Sequence, residues 1–215
     1  MKVFPSGAHS IAWFKLADFV ARGEKERALS VYKLLMHSIS DKAFAYQLEG
    51  DILLAFDDHL ALDRYHAAVH MYKQRGAYQQ AVAIYERVAM YKNDITLLEA
   101  LLDIYDALAD QAGIIHSFAR FAALAVQKKN FGLLINRLHV YLMTRNILLK
   151  AELYAATFFA LLQYDKENPQ IEMYLFQALD LYLKIDDAHC IERCMAKLKA
   201  LDEHFYTIAY ERLAK

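Results

Sequence analysis

The chain has 215 residues, 57% of them hydrophobic, and is close to neutral, with 25 Lys plus Arg against 26 Asp plus Glu. Such a composition supports a large buried core, and the lack of a basic stripe leaves phosphate binding without an electrostatic source, which argues against nucleic acid. Two prolines and six glycines leave few helix breakers, and two cysteines, Cys190 and Cys194, build no disulfide framework and fit a reducing cytoplasm.

The N-terminus, with Trp13, Lys15 and Asp18 close behind it, lacks the apolar core of a secretion signal. The longest uncharged stretch, 153–164, is shorter than a membrane span requires, so no membrane span is expected. From there the pattern predicts about twelve helices with short connections. The first covers 8–21 and turns at Gly23, and the second covers 24–37. Ser40 or Asp41 caps a third over 42–56, Asp57 and Asp58 break it, and a fourth runs over 59–75 to Gly76. A fifth covers 77–91, Asn93 and Asp94 cap a sixth over 95–110, and Gly113 opens a seventh that ends near Lys129. The eighth and ninth, 132–144 and 147–164, divide near Arg145 and Asn146. Asn168 and Pro169 start the tenth, with proline at the first helical position, where a missing N–H costs nothing. It ends near Asp186 and Asp187, an eleventh covers 189–201, and a twelfth begins near 203.

Within this series Tyr65, Ala68, Val69 and Tyr72, then Gly76 at the break, then Ala81, Tyr85 and Val88, mix small and aromatic residues as two closely packed helices require. The pattern recurs at Trp13, Leu16, Ala17 and Val20, at Tyr46, Gly50 and Leu53, at Leu98, Leu101, Leu102 and Tyr105, and at Tyr174, Ala178 and Leu181. On these residues the chain resembles the tetratricopeptide repeat (TPR) family along most of its length. Copies starting at Trp13, Tyr46, Tyr65, Leu98, Leu134 and Tyr174 are spaced irregularly around the family period of ~34 residues, and the register is disturbed near Asp57 and Asp58. The resemblance implies an all-α, antiparallel helical-hairpin α-solenoid in one domain spanning 1–215. Small residues such as Ala17, Gly50, Ala68 and Ala81 allow close helix approach. The last helix is the cap, with Phe205, Ile208, Ala209 and Leu213 inward and Glu203, Glu211, Arg212 and Lys215 toward water.

Binding in this family uses a concave groove lined by first helices, which by resemblance selects Asp63, His66, His70 and Lys73 in one copy and Glu99, Asp103 and Asp106 in the next. The acidic set also follows from spacing, since Glu99, Asp103, Asp106 and Asp110 share one helix face, and like charges there suit a basic or amphipathic partner. Most such stripes are simply solvated. His66 and His70, one turn apart, have the spacing of metal ligands, but the intervening residues lack the glutamate of a zincin, and hydrogen-bonding histidines are commoner. The lysine, asparagine and arginine clamp used by chaperone-binding members is replaced here by Phe14, Asp18, Gln47, Asp51, His66 and His70. Ile135, Leu142, Leu175, Leu179 and Tyr182 are apolar groove candidates on later first helices.

Cys190 and Cys194 occupy slots where the family places a small residue and an aromatic, so both are expected to be buried thiols. No phosphate-binding loop, dinucleotide fingerprint or nucleophile elbow is found. The expectation is a non-catalytic protein–protein interaction module without a cofactor, an adaptor, scaffold or chaperone-like protein that binds a protein or peptide segment. The alternative is a structural subunit of a homo-oligomer or larger complex. A helical metal-binding protein or enzyme is the distant third.

Overall fold

The structure, a computed structural model, describes residues 7–92, 94–143 and 146–214, with side chains from Ile11 onward. Expectations that touched residues 1–6, Asn93, Arg145 and Lys215 lie outside the described residues. The fold is all-α, with twelve helices and no strand among the described residues. The chain divides into two compact units between Lys92 and Asn93, and within each unit helices adjacent in sequence pack on one another, as in a helical repeat array.

The first unit contains α1 (Gly7–Ala21), α2 (Lys25–Met36), α3 (Lys42–Ala55), α4 (Leu60–Gln74) and α5 (Tyr78–Tyr91). Its most extensive seam joins α3 to α4, one connection earlier than the best sequence copy. Gly50 explains the closeness, because a Cβ on it would stand 2.8 Å from carbons of the buried Tyr65 ring. Polar links run along the same seam. Tyr65 donates to Asp51 at 2.7 Å, Tyr72 donates to Gln47 at 3.1 Å, Arg64 pairs with Glu49 at 3.1 Å, and Arg75 meets both Asp41 oxygens at 2.9 and 2.8 Å. Tyr65, Ala68, Val69, Tyr72, Ala81, Tyr85 and Val88 are all buried, as the repeat pattern predicts. Ala17 is exposed, so it is not one of the small residues that bring helices together; Leu16 takes the buried position.

The second unit contains α6 (Ile95–Ala107), α7 (Gln111–Gln127), α8 (Phe131–Leu142), α9 (Ile147–Tyr164), α10 (Ile171–Lys184), α11 (Ala188–Leu201) and α12 (Glu203–Leu213). Its centre is α9, which packs along both α7 and α10. By length and composition alone this 18-residue helix is apolar enough to cross a membrane, although the uncharged stretch read from the sequence was shorter, because the helix extends back past Glu152 and Lys150 to Ile147. Its apolar residues serve the core: Leu153, Phe158 and Leu161 are buried, and the Phe158 ring meets Phe205 of α12 edge-on at 5.4 Å. The last helix packs on both α10 and α11 through buried Phe205 and Ala209, and Arg212 reaches both oxygens of Asp180 at 3.0 and 2.7 Å.

Helix ends follow local chemistry. Asp41, Asp94, Asp110, Asn146, Asp187 and Asp202 each accept a hydrogen bond from a first-turn N–H, which fulfils the expected caps at Asp41 and Asp94. Asp110 opens the seventh helix by accepting from Gly113, and that glycine leaves room for the Tyr105 ring lying over it. Pro169 is not the first residue of α10. Asn168 holds a turn around it, accepting from the Gln170 N–H at 3.1 Å, and the helix begins at Ile171. Among the described residues six helices end in a residue with positive φ: Gly23, Asp57, Gly76, Ala109, Lys129 and Asp186. At each, the next N–H returns to a carbonyl five residues back, as Ala77 does to Tyr72 at 2.8 Å and Asn130 to Ala125 at 2.8 Å.

Candidate interaction surfaces

On α4 the hydrophobic pattern sends Tyr65, Ala68, Val69 and Tyr72 inward, which leaves Asp63, His66, His70 and Lys73 exposed on the opposite stripe. The His66 ring is held by α5: Nδ1 shares a hydrogen bond of 2.7 Å with the Tyr85 hydroxyl, and the two rings meet edge-on at 5.5 Å. Burial raises the Tyr85 phenol above its ordinary range, so it stays protonated at neutral pH. His70 contacts Gln74 at 2.9 Å. Neither Asp63 nor Lys73 forms an ion pair among the described residues. This stripe can therefore offer one anion, one cation and two imidazoles to a partner.

In the second unit Glu99 is half-buried, while Asp103 and Asp106 are exposed on α6. Arg137 of α8 pairs with Asp103, its guanidinium 5.5 Å from the Tyr141 ring centroid. The acidic stripe is thus partly neutralised by the chain itself. The four α4 residues belong to the first unit and the three α6 residues to the second. Of the apolar groove candidates, Ile135 is exposed and Leu142 half-buried, but Leu175, Leu179 and Tyr182 are buried in the second unit and unavailable to a partner. The correction has a packing cause: α10 is covered by α9, α11 and α12, so its apolar face is core.

A third cluster was not found from the sequence. Glu152 of α9 accepts from Arg193 of α11 and acts electrostatically on the Tyr182 phenol of α10. Burial and the Glu152 carboxylate push the Tyr182 phenol well above its ordinary range. Lys197 of α11 lies 3.7 Å from the Phe159 ring centroid, and these groups border a cavity of ≈ 200 Å³ that Ile115 and Ala119 of α7 complete. The first unit repeats the motif. Asp51 of α3 accepts from Tyr65 of α4 and pairs with Arg87 of α5, beside a cavity of ≈ 390 Å³. In both, an acid pairs with an arginine and acts on a tyrosine, the three standing on three successive helices. The legible signal was Glu152, the acidic residue of a mostly apolar helix, which must find partners when that helix is packed.

Cys190 and Cys194 are buried, as expected, and desolvation pushes both thiols up to about 11. Among the described residues no group of three or more His, Cys, Asp or Glu side chains comes together in a geometry that could hold a metal ion. No protein-family model matches the chain, and no curated protein matches it. The class defined by fold and surfaces is an all-α protein of two units, each an array of consecutively packed helices.

Proposed function

We propose that the protein is a TPR-like, non-catalytic interaction module, an adaptor or scaffold, that binds a peptide or protein segment on exposed polar helix faces. The observation that carries this reading is the division of α4: its repeat-pattern residues are all buried, and Asp63, His66, His70 and Lys73 are all exposed. Repeat arrays consume their apolar faces in stacking and leave such polar faces for recognition. On α6, Glu99 and Asp106 favour a basic or amphipathic segment, since Asp103 already has Arg137.

The test is affinity purification from the native host, followed by direct binding of the purified partner to two charge-altered forms. His66→Ala/His70→Ala and Glu99→Lys/Asp106→Lys should each weaken the partner several-fold, as expected for exposed polar and charged contacts. A partner bound equally well by wild type and both variants would overturn this reading.

A second reading, a subunit of a larger assembly, is favoured by large exposed apolar residues, including Phe14 at 76%, Met90 at 81% and Tyr91 at 70% exposure. It predicts self-association or aggregation of the isolated chain in sedimentation experiments, and a monodisperse monomer would count against it.

A further inference from the structure

The crevice between α7, α9 and α11 presents two cations, Arg193 and Lys197, and one carboxylate, Glu152. Glu152 is engaged by Arg193, and Lys197 pairs with no carboxylate among the described residues. The Phe159 ring face, 3.7 Å away, attracts the ammonium through its quadrupole but gives its N–H donors no oxygen. Partial burial draws this lysine below its usual range, which marks an ammonium that has lost some hydration. Small residues open the space in front of it: Ala156 on α9 and the exposed Ala119 on α7. At ≈ 200 Å³ the cavity is smaller than drug-sized sites, which start at roughly 300 Å³, and suits a single side chain.

We propose that this crevice takes the side-chain carboxylate of a glutamate or aspartate from a protein partner, with the carboxylate on Lys197 and its methylenes against Ala156 and Phe159. Charge selects the occupant. The pocket carries one net positive charge, which a carboxylate cancels, whereas a cationic occupant would face Arg193 and Lys197 together. A phosphate dianion is disfavoured because it would leave the pocket with a net negative charge and because taking a double charge out of water costs more than taking a single one. The inference rests on the reading that the chain binds a protein, and adds the chemistry of one anchor built by other helices.

The test uses the full chain with 13C-labelled lysine and, as probe, N-acetylglutamate N-methylamide, followed by NMR. The Lys197 signal, assigned by its absence in Lys197→Arg, should shift saturably. Lys197→Met, which keeps an aliphatic stem over Phe159, should weaken the probe roughly tenfold or more, the scale of a lost charge-assisted hydrogen bond. Lys197→Arg should retain binding, and Ala119→Leu, which narrows the mouth without altering charge, should reduce it; melting curves verify that each variant is folded. Equal binding to wild type and Lys197→Met, equal binding of the glutamine analogue, or tighter binding of inorganic phosphate than of the carboxylate would each overturn the proposal. Because the probe is not a protein, its result is separable from success or failure in finding a partner on α4.

Discussion

Gly50 faces the ring of Tyr65 so closely that an added methyl would lie 2.8 Å from two of its carbons. The ring cannot swing aside, since its hydroxyl is fixed on Asp51 and it is fully buried. Alanine is normally better than glycine inside a helix by about 1 kcal/mol. Here overpacking costs roughly 1–3 kcal/mol and reverses the sign, so Gly50→Ala should be net destabilising in urea unfolding. Gly132 is the control: nothing lies within 4 Å of its added Cβ, and Gly132→Ala should stabilise by about 0.5 kcal/mol.

Ala109 ends α6 with φ 52, a left-handed conformation in which a Cβ is strained. Its N–H and that of Asp110 both close the turn, at 2.9 and 3.0 Å, so the backbone bonds persist whatever the side chain. Ala109→Gly should therefore raise stability by about 0.5–1 kcal/mol, visible as a higher urea midpoint at unchanged slope. A loss of stability would show that the turn is not strained.

Lys166 and first-turn N–H groups hold the Asp202 carboxyl below its ordinary value of 3.8. A depressed folded value means that the charged form favours the native state; its contribution is present above the unfolded value and disappears as pH falls through the folded one. Arg75 and backbone N–H donors act on Asp41 in the same direction. Asparagine keeps the cap and removes the charge. Asp202→Asn should lower stability at neutral pH and flatten the loss below about pH 4, measured as urea midpoints across the acid range.

Both cysteines should resist Ellman's reagent in the native protein. Thiols buried and pushed up to about 11 hold little thiolate at neutral pH, and the reagent cannot reach them. The labelling rate should follow the unfolding transition in denaturant. Rapid labelling under native conditions would place α11 outside the packed unit.

Helices were legible because their signals are local. The ninth helix was read with its observed ends, and Asp41 and Asp94 cap as their side chains permit. Pro169 misled by two residues because Asn168 organised its own turn first. Burial of the Tyr65 to Val88 set was legible for the same reason, since helical spacing puts those residues on a shared face. The surfaces were harder. Asp103 looked unpaired because its counter-ion, Arg137, lies two helices onward, and no spacing rule reaches that far. Leu175, Leu179 and Tyr182 looked free for a partner because a sequence does not say that α10 is covered by three neighbours. The Glu152, Tyr182 and Arg193 cluster depends on α9, α10 and α11 meeting, and only packing brings them together.

The placement of α9 against both α7 and α10, with α8 contributing less to that contact, departs from a strict nearest-neighbour stack. In a one-dimensional stack, unfolding can travel inward helix by helix from an end. Here the chain leaves α7, passes through α8 and returns, so α7 and α9 close a loop whose opening requires one of the two broadest seams of the unit to separate at once. Hydrogen exchange should accordingly be slowest along α9 and α7, and the two should exchange as one cooperative block. A cut between α8 and α9 would leave fragments that still hold each other, a severed backbone without a separated fold.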